Sequence, residues 1–313
     1  MYEIAQMVKA CLGAGTHVAV AWVVDAPSFE ERGRAEALAL TPGGGRVGAA
    51  MAGALDDQLS GLANAGIHGR LLDLQVSEME ALVAGLPAGG DARCVLLAAS
   101  DLPAALWDML TDRDPVCLVT RLSGDEVTGT ELFTADTIDE AGEKAAEMFG
   151  NGASATAVVD DQIVTVLHPI PTLLVAGPGP IAAAIASAAQ PLGWQIQAMA
   201  NPSAAAAIAA QLCHLDKCVV LGHDIDLAGP VLEAALSSDA AYIGALGTDR
   251  TQQDRARWLA DRGVTDLSRV HGPAGLDIGA SDPAAIAISV LAEALAVSSG
   301  SSGASLRGHS VIA

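Results

Sequence analysis

Lysine is almost missing from this chain: three in 313 residues, so that with arginine only 16 basic side chains face 37 acidic ones and the formal charge is −21. Such a surface repels phosphate backbones, so neither nucleic acid nor an anionic membrane is an expected partner. Its plain role is solubility, and an anionic ligand has to be met locally, by backbone N–H groups or a few arginines. No apolar run is long enough for a membrane helix. The opening stretch MYEIAQMVKACLGAG lacks a basic start ahead of an apolar core, so no secretory signal is expected. Cysteines are few, scattered and odd in number, five in all, which argues against a disulfide scaffold and for a reducing cytoplasm. Aromatic residues are only 3%, and Trp22, Trp107, Trp194 and Trp258 read as packing residues rather than stacking platforms. GxSxG, Walker A and HExxH patterns are missing, as is any internal repeat. Cys213, His214 and Cys218 lack the further ligands that zinc requires.

What the chain does have is apolar material, 51% of its residues, much of it alanine, in a length that suits two domains. The front half mixes element types. A helix over 1–14 turns Ile4, Met7, Val8, Ala10, Cys11 and Leu12 toward a core. His17 to Val24 is a strand, and Ala35–Leu40 pairs with Arg46–Val47 across Pro42-Gly43-Gly44-Gly45. A small-residue segment from Gly48 to Gly61 becomes helical. Strands follow at Val95–Ala98 and Val116–Arg121, with helices over Leu102–Leu110, behind a cap at Ser100-Asp101, and over Thr137–Phe149. A hairpin joins Ala155–Val159 to Gln162–Leu167 across Asp160-Asp161. His168-Pro169-Ile170-Pro171 is a stiff link. The domains are therefore expected at 1–167 and 168–298, with a Ser/Gly-rich flexible tail over 299–313.

The second half alternates strand and helix: strands at 173–176, 194–199, 218–221, 242–246 and 269–270, with helices at 203–212, 227–236, 252–262 and 284–297. Asp282-Pro283 is a fitting start for the last. Such alternation implies a doubly wound parallel sheet. The fold class expected is α/β, an N-terminal mixed α+β domain followed by a doubly wound, Rossmann-like domain.

Thr172 to Asn201 organises this half. Leu173-Leu174-Val175-Ala176 is a buried strand, and Gly177-Pro178-Gly179-Pro180-Ile181-Ala182 fits the dinucleotide fingerprint GxGxxG/A before an apolar helix. Gly177 allows the turn, Gly179 lets backbone approach a phosphate, Ala182 lets helix and strand close up, and the helix start offers N–H donors. Pro178 and Pro180 remove two donors, and Ala200-Asn201 stand where an acid would hold a ribose hydroxyl. Beyond the carboxyl ends of the later strands lie Gly222-His223-Asp224, Gly247-Thr248-Asp249-Arg250-Thr251 and His271 to Gly279. They are expected to converge with the glycine turn on one crevice, with Gly247, Arg250 and His223 as anion contacts and His271, Gly275 and Asp277 beside them.

YIGALGTDRTQQDRARWLADRG, followed by RVHGPAGLDIGASDPAAIAISVLAEALAV, resembles the XdhC/CoxI family of xanthine and carbon monoxide dehydrogenase accessory proteins, over roughly residues 167–297. The proline link before LLVAGPGPIA fits that family's entry into its Rossmann domain, and HVAVAWVVDA and RVGAAMAGALDD follow the outline of its N-terminal domain. The resemblance implies a cytoplasmic chaperone, without turnover of its own, that binds molybdenum cofactor (molybdopterin). It would support sulfuration by a cysteine desulfurase and insertion into a molybdenum hydroxylase apo-enzyme. Carried onto this chain, Gly177, Gly179, Gly247, Gly275 and Arg250 hold the phosphate, His271 donates to the pterin or the phosphate, and Asp277 accepts from a pterin N–H. The family's Ser-Gly-Gly-Cys run reads Met51-Ala52-Gly53-Ala54 here, so no thiol is available to ligate molybdenum or carry sulfur. Pro27 to Gly33 is less basic than its family counterpart, Asp249 replaces an often basic residue, and Pro180 replaces the histidine of the glycine turn. The alternatives are an NAD(P)-dependent oxidoreductase using the same crevice and a divergent scaffold without a small ligand. A homodimer is compatible with the fold, though no stretch specifies an interface.

Overall fold

Apolar runs too continuous for a one-sided sheet shape both halves of the chain. The computed structural model describes residues 1–27, 29, 36–222 and 224–305, and the chain divides into Met1–Pro169 and Ile170–Ala313.

The first unit is a nine-stranded antiparallel sheet in the order β3-β2-β1-β5-β4-β7-β6-β9-β8. Its strands are β1 (Ala19–Asp25), β2 (Ala37–Leu40), β3 (Arg46–Gly48), β4 (Arg70–Val76), β5 (Gly90–Ala98), β6 (Val116–Ser123), β7 (Glu126–Phe133), β8 (Ala155–Val159) and β9 (Gln162–Leu167). Strand β1 is buried on both sides: Val20 and Trp22 pack with Ile4 and Val8 of α1 (Tyr2–Gly13) and Leu106 and Trp107 of α4 (Ala105–Thr111). Ala21 and Val23 face Leu59 of α2 (Asp56–Asn64) and Ala81 of α3 (Glu78–Ala84). Two-sided burial explains the unbroken apolar run. The β4–β7 junction is a single pair, Arg70 with Glu126, while Trp22 Nε1 donates to Thr165 Oγ1 of β9 at 3.1 Å.

Several expectations are corrected here. Ala10 is exposed. Ser100 and Asp101 lie in a 3-10 turn, and among the described residues no side chain caps α4. The helix expected over Thr137–Phe149 is a 3-10 turn (Ile138–Ala141) and α5 (Glu143–Gly150), split by Gly142 at φ 96°, ψ 162°. Strands β4 and β7 and helix α3 were not anticipated. Ala35 and most of Pro27 to Gly33 lie outside the described residues.

The second unit is a five-stranded parallel sheet, β11-β10-β12-β13-β14, formed by β10 (Thr172–Ala176), β11 (Gln195–Met199), β12 (Lys217–Val220), β13 (Tyr242–Ala245) and β14 (Val270–His271). Alternate residues of β10 point to opposite layers. Leu173 and Val175 meet α6 (Pro180–Ala189) and α10 (Pro283–Ser298). Leu174 and Ala176 share a core with α7 (Pro202–Ala209), α8 (Ile225–Leu236) and α9 (Asp249–Ala260). Helices on both faces make the sheet doubly wound. The strand order reverses between β10 and β12, where such sheets open a crevice at their carboxyl edge. Asp282 caps α10 by accepting from Ala284 N and Ala285 N, with Pro283 as the first helical residue. Among the described residues no helix is long and apolar enough to cross a membrane.

Candidate functional site

The turn after β10 is dictated by its glycines. At Gly177 (φ 121°) a Cβ would lie 2.9 Å from the Leu221 carbonyl oxygen, so only glycine fits. Its N–H donates to Met199 O at 2.8 Å, so Gly177 shapes the turn and its amide is taken. Gly179, at φ 123°, precedes α6, and a Cβ there would project into open space. Among the described residues no side chain caps α6, and its first turn carries no acid. Its first backbone bond runs from Ala183 N to Gly179 O, which leaves the amides of Gly179, Ile181 and Ala182 without helical acceptors. The neighbouring helices α7, α8, α9 and α10 are each capped, by Asn201, Asp224, Thr248 and Asp282. Of these five helices, α6 alone begins without a side-chain acceptor among the described residues.

Two openings flank the turn. One of about 340 Å³ is lined by Gly179, Pro180, Ile181, Leu221, Gly222 and Gly247, with Ile286 of α10. The other, about 220 Å³, lies at the strand-order switch against Gly177, Met199, Ala200, Gly222 and Asp224. Gly177, Gly179 and Gly247 thus gather here. Ala182 is buried, 6% exposed, beneath the start of α6 in the core with Leu173 and Val175, as close packing of helix on strand requires. Arg250 is exposed in the first turn of α9 and forms no ion pair among the described residues. His223 lies outside the described residues. Asn201 accepts from Ala204 N at 3.0 Å as the α7 cap, and Ala200 and Asn201 stand after β11 where an acid would hold a ribose hydroxyl.

His271, Gly275 and Asp277 line neither opening. The loop after β14 is tied instead to α10 by a residue that sequence reasoning missed, Glu293. Its Oε2 accepts from Tyr242 Oη at 2.6 Å and from Gly275 N at 2.7 Å. His271 Nδ1 stands 3.6 Å from Oε1, with its ring 5.0 Å from that of Tyr242. Burial and then the Glu293 bond push the Tyr242 phenol well above its ordinary range, so it stays a donor. At Gly275 a Cβ would meet Ser289 Oγ at 2.4 Å. Asp277 is exposed and has no ion-pair partner among the described residues. The available signal was Glu293 itself, the one charged residue of a sixteen-residue apolar helix.

In the first unit, Met51, Ala52 and Gly53 all hold left-handed backbone, at φ 53°, 54° and 94°. Glu36 Oε2 accepts from Ala52 N at 3.0 Å and Asp56 Oδ1 from Ala50 N at 2.9 Å. The turn ends on Ala54, buried and without a thiol. Burial pushes the thiols of Cys94, Cys117 and Cys218 up to about 12, so they stay protonated near neutral pH. Among the described residues no three His, Cys, Asp or Glu side chains are grouped to hold a metal.

Residues 173–294 match the XdhC Rossmann domain. Seventy-four residues are 39% identical to the uncharacterized protein YqeB of Escherichia coli K12, covering 23% of this chain and 14% of that one. Eighty-one residues are 36% identical to the molybdenum cofactor insertion chaperone PaoD of the same organism, covering 25% and 26%. The chain thus aligns with only a fraction of either relative's length. A crystal structure described as a xanthine dehydrogenase from Bacillus halodurans superposes with a TM-score of 0.41 at 17% identity, over 95% of this chain and 96% of that one.

Proposed function

We propose, from the match of residues 173–294 to the XdhC Rossmann domain, that the chain binds molybdenum cofactor as cargo and delivers it to a molybdenum hydroxylase apo-enzyme. The observation that carries this reading is the uncapped start of α6, opening on a cleft beside Gly179 and Gly247. The cargo's phosphate suits this place: its charge meets unbonded amides at the positive end of a helix. Gly179 leaves room for that approach, since its Cβ direction is empty. Arg250, exposed and unpaired among the described residues in the first turn of α9, and the exposed Asp277 line neither opening, so their part in this reading is to meet portions of the cargo that extend beyond the cleft. Gly177, Gly275 and His271 act through the shape of the loops. Similarity to the PaoD segment supports the same cargo.

The buried, thiol-free turn at Ala54 separates cargo holding from sulfur chemistry. Sulfuration then belongs to a cysteine desulfurase acting while the cargo is held, and the chain itself provides no sulfur ligand in that turn. A cytoplasmic setting goes with this role. NAD(P) is disfavoured by the lack of an acid after β11, where Ala200 and Asn201 stand.

The test is a thermal-shift comparison of the purified chain with anaerobic molybdenum cofactor, NAD(H) and NADP(H). At a hundredfold excess over Kd, a ligand that binds only the folded state stabilises it by about 2.7 kcal/mol. A shift with the cofactor alone, reduced in Arg250→Ala, is expected. A shift with a nicotinamide nucleotide alone would overturn the reading for an oxidoreductase, and no shift at all would leave a scaffold.

A further inference from the structure

On the sheet face opposite α6, an arginine is buried without a counter-charge among the described residues. Arg255 of α9 is 3% exposed. One terminal nitrogen donates to the Gly222 carbonyl at 2.7 Å and the other to Gln252 Oε1 at 3.0 Å. Its Nε has no partner among the described residues, so a group with five N–H donors makes two bonds. No carboxylate there pairs with it, and burial alone draws it below its ordinary pKa. Buried guanidinium groups are normally paired, because an uncompensated charge away from water is costly.

The surroundings are built and specific. Gln252 Nε2 donates to Ala245 O at 2.8 Å, which fixes its Oε1 toward Arg255. Gly272 permits that placement, since a Cβ there would lie 2.8 Å from Gln252 Oε1. Beside them lies a cavity of about 290 Å³, walled by Arg255, Gln252 and Gln253 at one part and by Leu232, Leu259 and Val270 at another. Its residues come from α8, α9 and the β14 segment, and neither Gly179 nor Gly247 reaches it.

We propose that this cavity is a second binding site, taking a small organic carboxylate whose head group pairs with Arg255 and whose apolar body rests on Leu232, Leu259 and Val270. A carboxylate supplies the missing counter-charge and two acceptor oxygens in the plane a guanidinium fork presents. The apolar walls select an organic acid over a fully hydrated inorganic ion. Because Arg255 also holds the Gly222 carbonyl, and Gly222 borders both openings on the crevice, an occupant here is linked to the loop at the strand-order switch.

The full-length chain is titrated with benzoate, by calorimetry and by thermal shift at constant ionic strength, with benzamide and inorganic phosphate as parallel probes. Saturable benzoate binding with no response to benzamide is expected. Arg255→Met should weaken it at least tenfold. Gln253→Glu is a surface change that puts a carboxylate into the cavity wall; it should weaken benzoate to the same degree and raise the melting temperature of the free protein. Should Arg255→Met fail to fold, Gln253→Glu decides between the outcomes. No saturable benzoate binding, equal binding by benzamide, phosphate binding in place of benzoate, or unchanged binding in Gln253→Glu would each overturn the assignment.

Discussion

Gly177 and Gly179 hold nearly the same backbone angle, φ 121° and 123°, and differ in what surrounds them. A methyl group at Gly177 would add a backbone clash with Leu221 to the strain of positive φ, while at Gly179 it would meet only the cleft. Gly179→Ala should therefore cost about 1–2 kcal/mol from strain alone, and Gly177→Ala measurably more, in urea unfolding of the C-terminal unit. Equal losses would deny the Leu221 clash its part in shaping the turn. The opposite substitution is available at Ala52, which holds φ 54° without being glycine. Ala52→Gly should stabilise the chain by up to about 1 kcal/mol, because relief of left-handed strain exceeds the added chain entropy. The glycines were legible in the sequence because a turn constrains residue type directly. Ala52 was not, since an alanine between Met51 and Gly53 carries no local sign of left-handed backbone.

Among the elements, the loop after β14 depends on α10 through Glu293. Glu293→Ala leaves Tyr242 Oη and Gly275 N without their acceptor and should cost about 2–4 kcal/mol. In the Tyr242→Phe background the loss should be smaller by at least about 0.5 kcal/mol. A double-mutant cycle in urea checks this, and strict additivity would deny the shared network. A second element-scale effect concerns His168 at the end of β9. Its Nε2 lies 3.0 Å from Phe149 O, and burial, outweighing that bond, depresses its pKa. The unfolded chain then binds this proton more readily. The resulting stability is complete above about pH 6.5 and is lost as pH falls through the lower folded value. Urea midpoints measured downward from pH 7 should fall more steeply in the wild type than in His168→Gln. Identical slopes would remove His168 from the account.

These elements also show where the sequence ran out. Strand β7, EVTGTELF, has a glycine inside and no sustained apolar/polar alternation, and its pairing with β6 rather than its own pattern makes it a strand. Helix α3 did carry a local sign: Ser77 and Glu80 form a capping box. Glu293 and Arg255 gain their meaning from contacts 18 to 51 residues away in sequence, with Gly275, Tyr242 and Gly222. No local pattern encodes such distances.

For the molecule as a whole, a chain of charge −21 is proposed to hold an anionic cargo, which requires local attraction strong enough to override a repulsive field. That attraction is assigned to the start of α6. Ile181→Glu tests it most directly, for an acid in the first helical turn favours the helix itself while setting a negative charge in the cleft that Ile181 lines. The measurement is an anaerobic calorimetric titration of molybdenum cofactor into the wild type and into Ile181→Glu, with circular dichroism to show that the variant is folded. Saturable binding by the wild type, weakened at least tenfold in the folded variant, is the predicted result. Equal affinity in the two proteins, or no binding by the wild type, would contradict the account.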